Sequence, residues 1–170
     1  VMTEIEKPLT VRRMVAFSRA VYESEAAVEG ICGRLVHTPE EAEQATADGK
    51  IAVIVDPEAE IRKSFLPDVI IDAILAKKNL GTKVTDAAFV IGVGPGFTAG
   101  EDCHCVIETK RGHTLGSVIW KGSAIPNTGV PGNVGGYTIE RLIRASARGE
   151  MEAIVSIGDL VQEGQVVAYT

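Results

Sequence analysis

Three cysteines in 170 residues are too few for a disulfide framework, which sets aside the small disulfide-stapled secreted class and favours a reducing cytoplasm. Aromatic residues make up only 5% of the chain, with one tryptophan. No apolar run approaches the roughly 20 residues of a membrane span. The opening Val1-Met2-Thr3-Glu4-Ile5 lacks the charged-then-apolar pattern of a secretion signal. Excess positive charge is missing too. The formal charge is −6, which disfavours a general nucleic-acid or anionic-membrane partner but leaves room for a local basic pocket.

What is present is an ordinary globular composition, 45% hydrophobic and 24% charged, long enough to bury a core as one domain or two small ones. The chain opens in strand-like sequence at Val1 and stops in strand-like sequence at Val166-Val167-Ala168-Tyr169-Thr170. It is therefore expected to be an internal piece of a longer protein, its unpaired strands needing partners from elsewhere. A homo-oligomer stays open.

The stretch around which the rest is arranged runs from Ala87 to Gly100: a short apolar run, then four glycines and a proline. Such a run reads as a buried strand whose glycines let the backbone turn sharply. Before it, strand-like and helix-like segments alternate. Helical spacing of Val11, Met14, Val15, Ser18, Val21 and Tyr22 predicts an amphipathic helix over 11–22, with Arg12, Arg13 and Arg19 off the stripe as a solvated face or an anion contact. Residues 27–28 and 31–36 look extended. Thr38-Pro39-Glu40-Glu41 is a capping box with proline at the first helical position, predicting a helix to about Asp48 that ends at Gly49. Residues 50–57 are the clearest strand, 58–65 a turn or two of helix, and 68–75 either a strand or a buried helix. The alternation argues for crossover units and a mainly parallel sheet.

Past Gly100 the texture is short strands and turns. Residues 104–109 and 114–120 predict a hairpin about Lys110-Arg111-Gly112-His113. Residues 124–136 are a loop and 139–145 are ambiguous. The tail predicts a strand over 151–157, with turns at Gly158-Asp159 and Glu163-Gly164 before a last strand.

Gly92, Gly94 and Gly96 are spaced too tightly for a dinucleotide fingerprint, so the stretch is either a structural turn or a backbone nest for phosphate or carboxylate. Cys103-His104-Cys105 with His113 invites a metal. In a strand, however, the two thiols share one face and the imidazole takes the other, so no metal is expected. Glu108, Arg111 and His113 flank the hairpin turn, where a carboxylate, a guanidinium and an imidazole could bind an anion or transfer a proton. Asn127-Thr128-Gly129 with Pro131-Gly132 could form a lid or a plain connector. The pattern Gly158-Asp159-x-Val161-x-x-Gly164-Gln165 resembles the scaffold of biotinyl and lipoyl β-domains, without the lysine that would carry a cofactor.

Several stretches together resemble one bacterial family. They are Met2-Thr3-Glu4-Ile5-Glu6-Lys7-Pro8, Val15-Ala16-Phe17-Ser18, Asp72-Ala73-Ile74-Leu75-Ala76-Lys77-Lys78-Asn79, the glycine stretch, Ile107-Glu108-Thr109-x-Arg111-Gly112-His113 and Pro126-Asn127-Thr128-Gly129. The family is the accessory proteins of selenium-dependent molybdenum hydroxylases, also labelled selenium-dependent molybdenum cofactor biosynthesis proteins. The resemblance implies a factor that helps mature such hydroxylases or insert their cofactor. Its implied partners are a molybdenum hydroxylase or its maturation proteins, and its implied ligand is a molybdopterin-type cofactor or a nucleotide. It also implies a glycine-rich Rossmann unit before Val1, which would put Glu4 at the end of a second strand, where an acid meets a ribose. More β-structure would follow Thr170. Cys103 and Cys105 depart from the family pattern, where small or apolar residues are expected.

The expected fold is therefore α/β: a Rossmann-like, mainly parallel sheet over 1–100, then a β-rich portion over 101–170 resembling a barrel-sandwich hybrid of biotinyl or lipoyl type. Gly92, Gly94, Gly96, Thr98, His104, Glu108, Arg111 and His113 are the candidates for a pocket holding an anionic cofactor or nucleotide. In it the glycine amides and Arg111 would hold negative charge, and Glu108 or His113 would move protons. Two rivals stand beside this: an NAD(P)-dependent oxidoreductase-like enzyme, which needs the upstream glycine motif, and a non-enzymatic module whose β-rich portion docks a partner.

Overall fold

The apolar run at residues 51–55 has covering on both faces, and that accounts for the first half of the molecule. A computed structural model describes residues 1–10, 12–156 and 158–170, with only the backbone of Arg13. Strands β1 (Met2–Glu4), β2 (Glu25–Val28), β3 (Ile31–Val36) and β4 (Ile51–Val55) form one sheet in the order β1-β4-β3-β2. β4 pairs in parallel with β1 and β3, while β2 and β3 form an antiparallel hairpin. Short helix α1 (Ala20–Glu23) precedes the hairpin, and α2 (Pro39–Ala47) makes the crossover from β3 to β4.

Along β4 the side chains alternate. Ala52 and Ile54 pack with Ala42 and Ala45 of α2 and with Val36 and Ile61. Val53 packs on the opposite face with Ala20 and Ala26, flanked by Phe17 and Val21. A strand buried on both faces has no polar side, which is why its sequence is continuously apolar. The helix α2 starts as its capping residues require. Thr38 Oγ1 accepts from the Glu41 amide at 3.2 Å, and the Glu41 carboxylate accepts from the His37 amide at 2.7 Å. A cap of this kind contributes about 1 kcal/mol.

The amphipathic helix expected over 11–22 does not form as one piece. Two 3-10 turns, Arg13–Val15 and Phe17–Arg19, lead into α1, and Ala16 between them is extended (φ −131°, ψ 129°). Met14 and Val15 are exposed, whereas Ser18 and Ala20 are buried. Tertiary hydrogen bonds decide the outcome: Thr10 Oγ1 and Ser18 Oγ lie 2.7 Å apart, and the Tyr22 hydroxyl donates to the Pro8 carbonyl at 2.8 Å. Val11, part of the expected stripe, lies outside the described residues.

After α3 (Arg62–Phe65) come β5 (Val69–Asp72), β6 (Phe89–Val93), β7 (Thr98–Ala99), β8 (Cys105–Ile107), β9 (Val118–Ile119) and β10 (Gly122–Ser123). The ambiguous segment 68–75 thus contains a strand. A second sheet has the order β5-β6-β8-β9, parallel in its first two pairings and antiparallel in the last. β7 and β10 form a separate antiparallel ribbon. The second sheet draws strands from both sides of Gly100, so pairing runs across the expected 100/101 limit. Its core joins Val90, Phe97, Ala99, Cys103, Val106 and Ala124.

Past Ala124 no described residue is buried. A 3-10 turn occupies Ile139–Arg141, and β11 (Glu152–Ala153) pairs antiparallel with β12 (Ala168–Tyr169). The strand expected over 151–157 is two residues long, extended only by the Ile154 amide donating to Val167 at 2.9 Å; Ile157 lies outside the described residues. The expected turns do form. The Ser156 amide donates to the Asp159 carboxylate at 2.8 Å, and the Gln165 amide to the Gln162 carbonyl at 3.1 Å. Two-residue ladders supply too little pairing to close a sheet on itself. Among the described residues the fold is mixed α/β, mostly sheet with few helices, and has no closed barrel.

Candidate functional site

The glycine stretch follows β6 and folds back under it. Phe97, only 4% exposed, lays its ring against Gly92, where an added Cβ would stand 2.5 Å from a ring carbon. At Gly96, φ is +115° and an added Cβ would stand 2.5 Å from the Cα of Lys78. Close approach of a ring at one position and of a backbone at the other explains why both must be glycine.

The chain that crosses Gly96 is a strap over residues 73–83. Asp72, at the end of β5 and 8% exposed, accepts from the Thr82 hydroxyl at 2.6 Å and the Ile74 amide at 3.1 Å. Asn79 closes the strap from within. Its Oδ1 accepts from the amides of Gly81 and Thr82, and its Nδ2 donates to the Thr82 carbonyl, each at 2.8 Å. Within the strap Leu75 and Lys77 hold positive φ, 58° and 64°, which side-chain-bearing residues adopt only when their surroundings impose it. Lys77 makes no ion pair among the described residues.

Two backbone donors at the turn stand apart from their neighbours. The Gly94 amide donates to Ile107 at 2.9 Å, the Thr98 amide to the Asp102 carboxylate at 2.8 Å, and the Gly100 amide to Cys103 at 2.8 Å. The amides of Gly96 and Phe97 have no acceptor among the described residues. Both residues line an open depression of about 480 Å³ together with Lys77, Thr98, Ser123 and Asn127. The hydroxyls of Thr98 and Ser123 lie 3.1 Å apart across the β7–β10 ribbon. The lining offers amide and hydroxyl donors and an ammonium group, but no carboxylate or imidazole. Such donors complement the oxygens of an anion, and the lining holds neither of the groups that would move a proton.

The eight residues expected at the site divide into three groups. Gly96 and Thr98 line the depression, and Gly92 and Gly94 shape the turn beneath it. His104 and Glu108 are bonded into the framework. The Nδ1 of His104 accepts from the Val90 amide at 2.9 Å, its own amide donates to the Val90 carbonyl at 2.8 Å, and its ring stacks on Phe89 at 5.0 Å. Glu108 is 3% exposed, and its two oxygens accept from the amides of Lys110 at 2.7 Å and Ile125 at 2.8 Å. These amides, that of Ile125 foremost, hold its carboxyl below the ordinary 4.5 against the opposing effect of burial.

Arg111 and His113 form the third group, exposed on the loop between β8 and β9. That loop is longer than the expected four-residue turn: the Gly116 amide donates to the Glu108 carbonyl at 2.8 Å. Neither residue lines the depression, so the cation beside the glycine turn is Lys77, not Arg111. Sequence reasoning missed Lys77 and Ser123. The one local sign was Lys77-Lys78-Asn79 interrupting an apolar run.

Cys103 and Cys105 are buried at 0% and 3% exposure, and burial pushes both thiols above their ordinary range, away from the reactive thiolate. Among the described residues no group of three His, Cys, Asp or Glu side chains is placed to hold a metal ion. Among the same residues no helix is long and apolar enough to cross a membrane.

No family model matches this chain, and no solved structure matches it. Over 169 residues it is 52% identical to the uncharacterized protein YqeB of Escherichia coli strain K12, a match that covers 99% of this chain and 31% of that protein. The chain therefore spans about a third of that relative's length.

Proposed function

We propose that this chain is part of an accessory factor for the maturation of selenium-dependent molybdenum hydroxylases, or for insertion of their cofactor, and that it holds an anionic cofactor or nucleotide at the glycine turn. The observation that carries the binding half is the pair of amides at Gly96 and Phe97, without a partner among the described residues, beside Lys77, which makes no ion pair among them. Phe97 is buried and Gly96 exposed; two adjacent amides with no acceptor among the described residues, set beside an ammonium group, favour an anion. The maturation half is supported by the sequence resemblance, which runs through the strap and the glycine stretch that build the depression. A cytoplasmic setting goes with this reading.

The finer architecture belongs to the same proposal. The β3–α2–β4 crossover and the parallel β1–β4 pairing suit the Rossmann-like portion, with Glu4 closing β1. The β11–β12 pair and the turns at Gly158 and Gly164 suit the beginnings of a barrel-sandwich hybrid.

The test is purification of the intact protein from its host, followed by mass spectrometry of bound small molecules and of co-purifying proteins. The expected result is a phosphate-bearing cofactor or nucleotide together with a hydroxylase subunit, the small molecule being lost from Lys77→Ala. Nicotinamide as the bound species would favour the oxidoreductase alternative. A hydroxylase complex with no small molecule would favour the docking module.

A further inference from the structure

The chain's single tryptophan lines a depression that shares Thr98 with the proposed anion depression, and it is presented unusually. Trp120 is 65% exposed, yet its ring is held in place. It leans on Phe89 at 6.3 Å and 55°, and Phe89 stacks on His104 at 5.0 Å and 28°. His104 is itself tied to β6 through its bond from the Val90 amide. Three rings are thus anchored in series to the second sheet, and the outermost presents its apolar surface to water. An exposed, pre-positioned indole is the residue type and arrangement that dominate binding surfaces, because little conformational freedom is lost when a ligand covers it.

A second depression, also of about 480 Å³, lies against this ring and is lined by Gly100, Glu101, Lys121 and Thr98. Thr98 lines the anion depression as well, so the two meet at that residue. The ribbon register, with Ser123 opposite Thr98 and Gly122 opposite Ala99, leaves a low ridge of three small side chains and one glycine between them.

From this we infer that Trp120 is the platform on which the planar heterocycle of a phosphate ester stacks, while its phosphate sits against Gly96, Phe97 and Lys77. The assignment rests on the anion reading above and deepens it, giving the ligand class as a phosphorylated planar heterocycle, either a purine nucleotide or a phosphorylated pterin. Glu101 supplies an acceptor and Lys121 a donor for the polar edge of the ring. Asp102, which receives the Thr98 amide, puts negative charge behind the ridge. The ligand's charge is therefore placed on the Lys77 side and its neutral ring on the Trp120 side.

The test uses the full chain and four probes: inorganic phosphate, ribose 5-phosphate, GMP and a phosphorylated pterin. Binding is read by calorimetry and, for the wild type, by fluorescence of Trp120. GMP or the pterin phosphate should bind about tenfold more tightly than ribose 5-phosphate, in keeping with one stacked base, and should quench the indole; whichever binds better names the source. Trp120→Leu should lose that tenfold gain while binding ribose 5-phosphate as before, and Trp120→Phe should keep part of it. Lys77→Ala should weaken all four probes. If ribose 5-phosphate binds but the ring adds nothing, or if Trp120→Leu binds GMP as the wild type does, the stacking platform is refuted and the anion site stands. If no probe binds, both fall.

Discussion

Replacing Glu108 by alanine tests the least expected feature of the site, a carboxylate that holds the framework together. The residue was a candidate for proton transfer, yet both its oxygens are taken by backbone donors at 2.7 and 2.8 Å. One bond pins the start of the β8–β9 loop and the other pins Ile125, at the rim of the loop that follows β10. Hydrogen bonds to a charged partner contribute about 1.5–3 kcal/mol each, and the Lys110 amide can recover part of its share from water. Glu108→Ala should therefore cost about 3 kcal/mol at pH 7. For a chain of this length that lowers Tm by about 9 °C. Glu108→Gln keeps one acceptor but turns an amide group toward the second donor, and should cost about 2 kcal/mol.

The pH dependence has a definite sign. The folded-state pKa of Glu108 lies below its unfolded value, so the contribution is fully present above about 4.5 and is lost as pH falls through the folded value. Urea unfolding of wild type and Glu108→Ala should differ by a constant amount from pH 8 to about pH 5 and converge on further acidification, while Glu108→Gln should show no such convergence relative to Glu108→Ala. Equal unfolding midpoints at pH 7, or a gap unchanged at pH 3, would refute the clamp.

Three other outcomes follow from the same geometry. Lys77→Ala should weaken phosphate binding about tenfold, whereas Arg111→Ala, on the exposed loop, should leave it within about twofold by calorimetry; the reverse order would restore the guanidinium to the site. Gly92→Ala puts a methyl group where the buried Phe97 ring already lies and should cost about 2 kcal/mol in urea unfolding, with no cost if the ring can move aside. Of the three thiols only Cys32, half-buried in β3, should react with a thiol reagent in the native state, the other two reacting after unfolding; rapid native labelling of Cys103 would contradict its burial.

The elements that could be read from the chain are those whose cause is local. Thr38-Pro39-Glu40-Glu41 carries its own cap, and residues 51–55 carry the composition of a doubly covered strand, so both were legible. The strand at 69–72 was ambiguous because a strand buried on one face and a buried helix look alike over eight residues. The stripe over 11–22 misled because the bonds from Thr10 to Ser18 and from Tyr22 to Pro8 outweigh helical spacing in a segment too short to be stable on its own. At the site, the glycines announced a turn, and Phe97 and Lys78 supply the reason for two of them. Lys77 could not be foreseen. A lysine after an apolar run reads as a solvated charge, and only the strap fixed by Asp72, Asn79 and Thr82, which lays Lys78 over Gly96, brings Lys77 to the depression. Arg111 misled for the complementary reason: nearness in sequence to a turn says nothing about which way a loop of ten residues leans.

The most direct test is a titration of the 15N-labelled protein with inorganic phosphate, followed amide by amide. The Gly96 and Phe97 amides, which have no acceptor among the described residues, should shift together and saturate at one affinity, while those of Gly94 and Thr98, already bonded to Ile107 and Asp102, should move little. Shifts confined to Arg111 and His113, or an unchanged spectrum at saturating phosphate, would contradict the account.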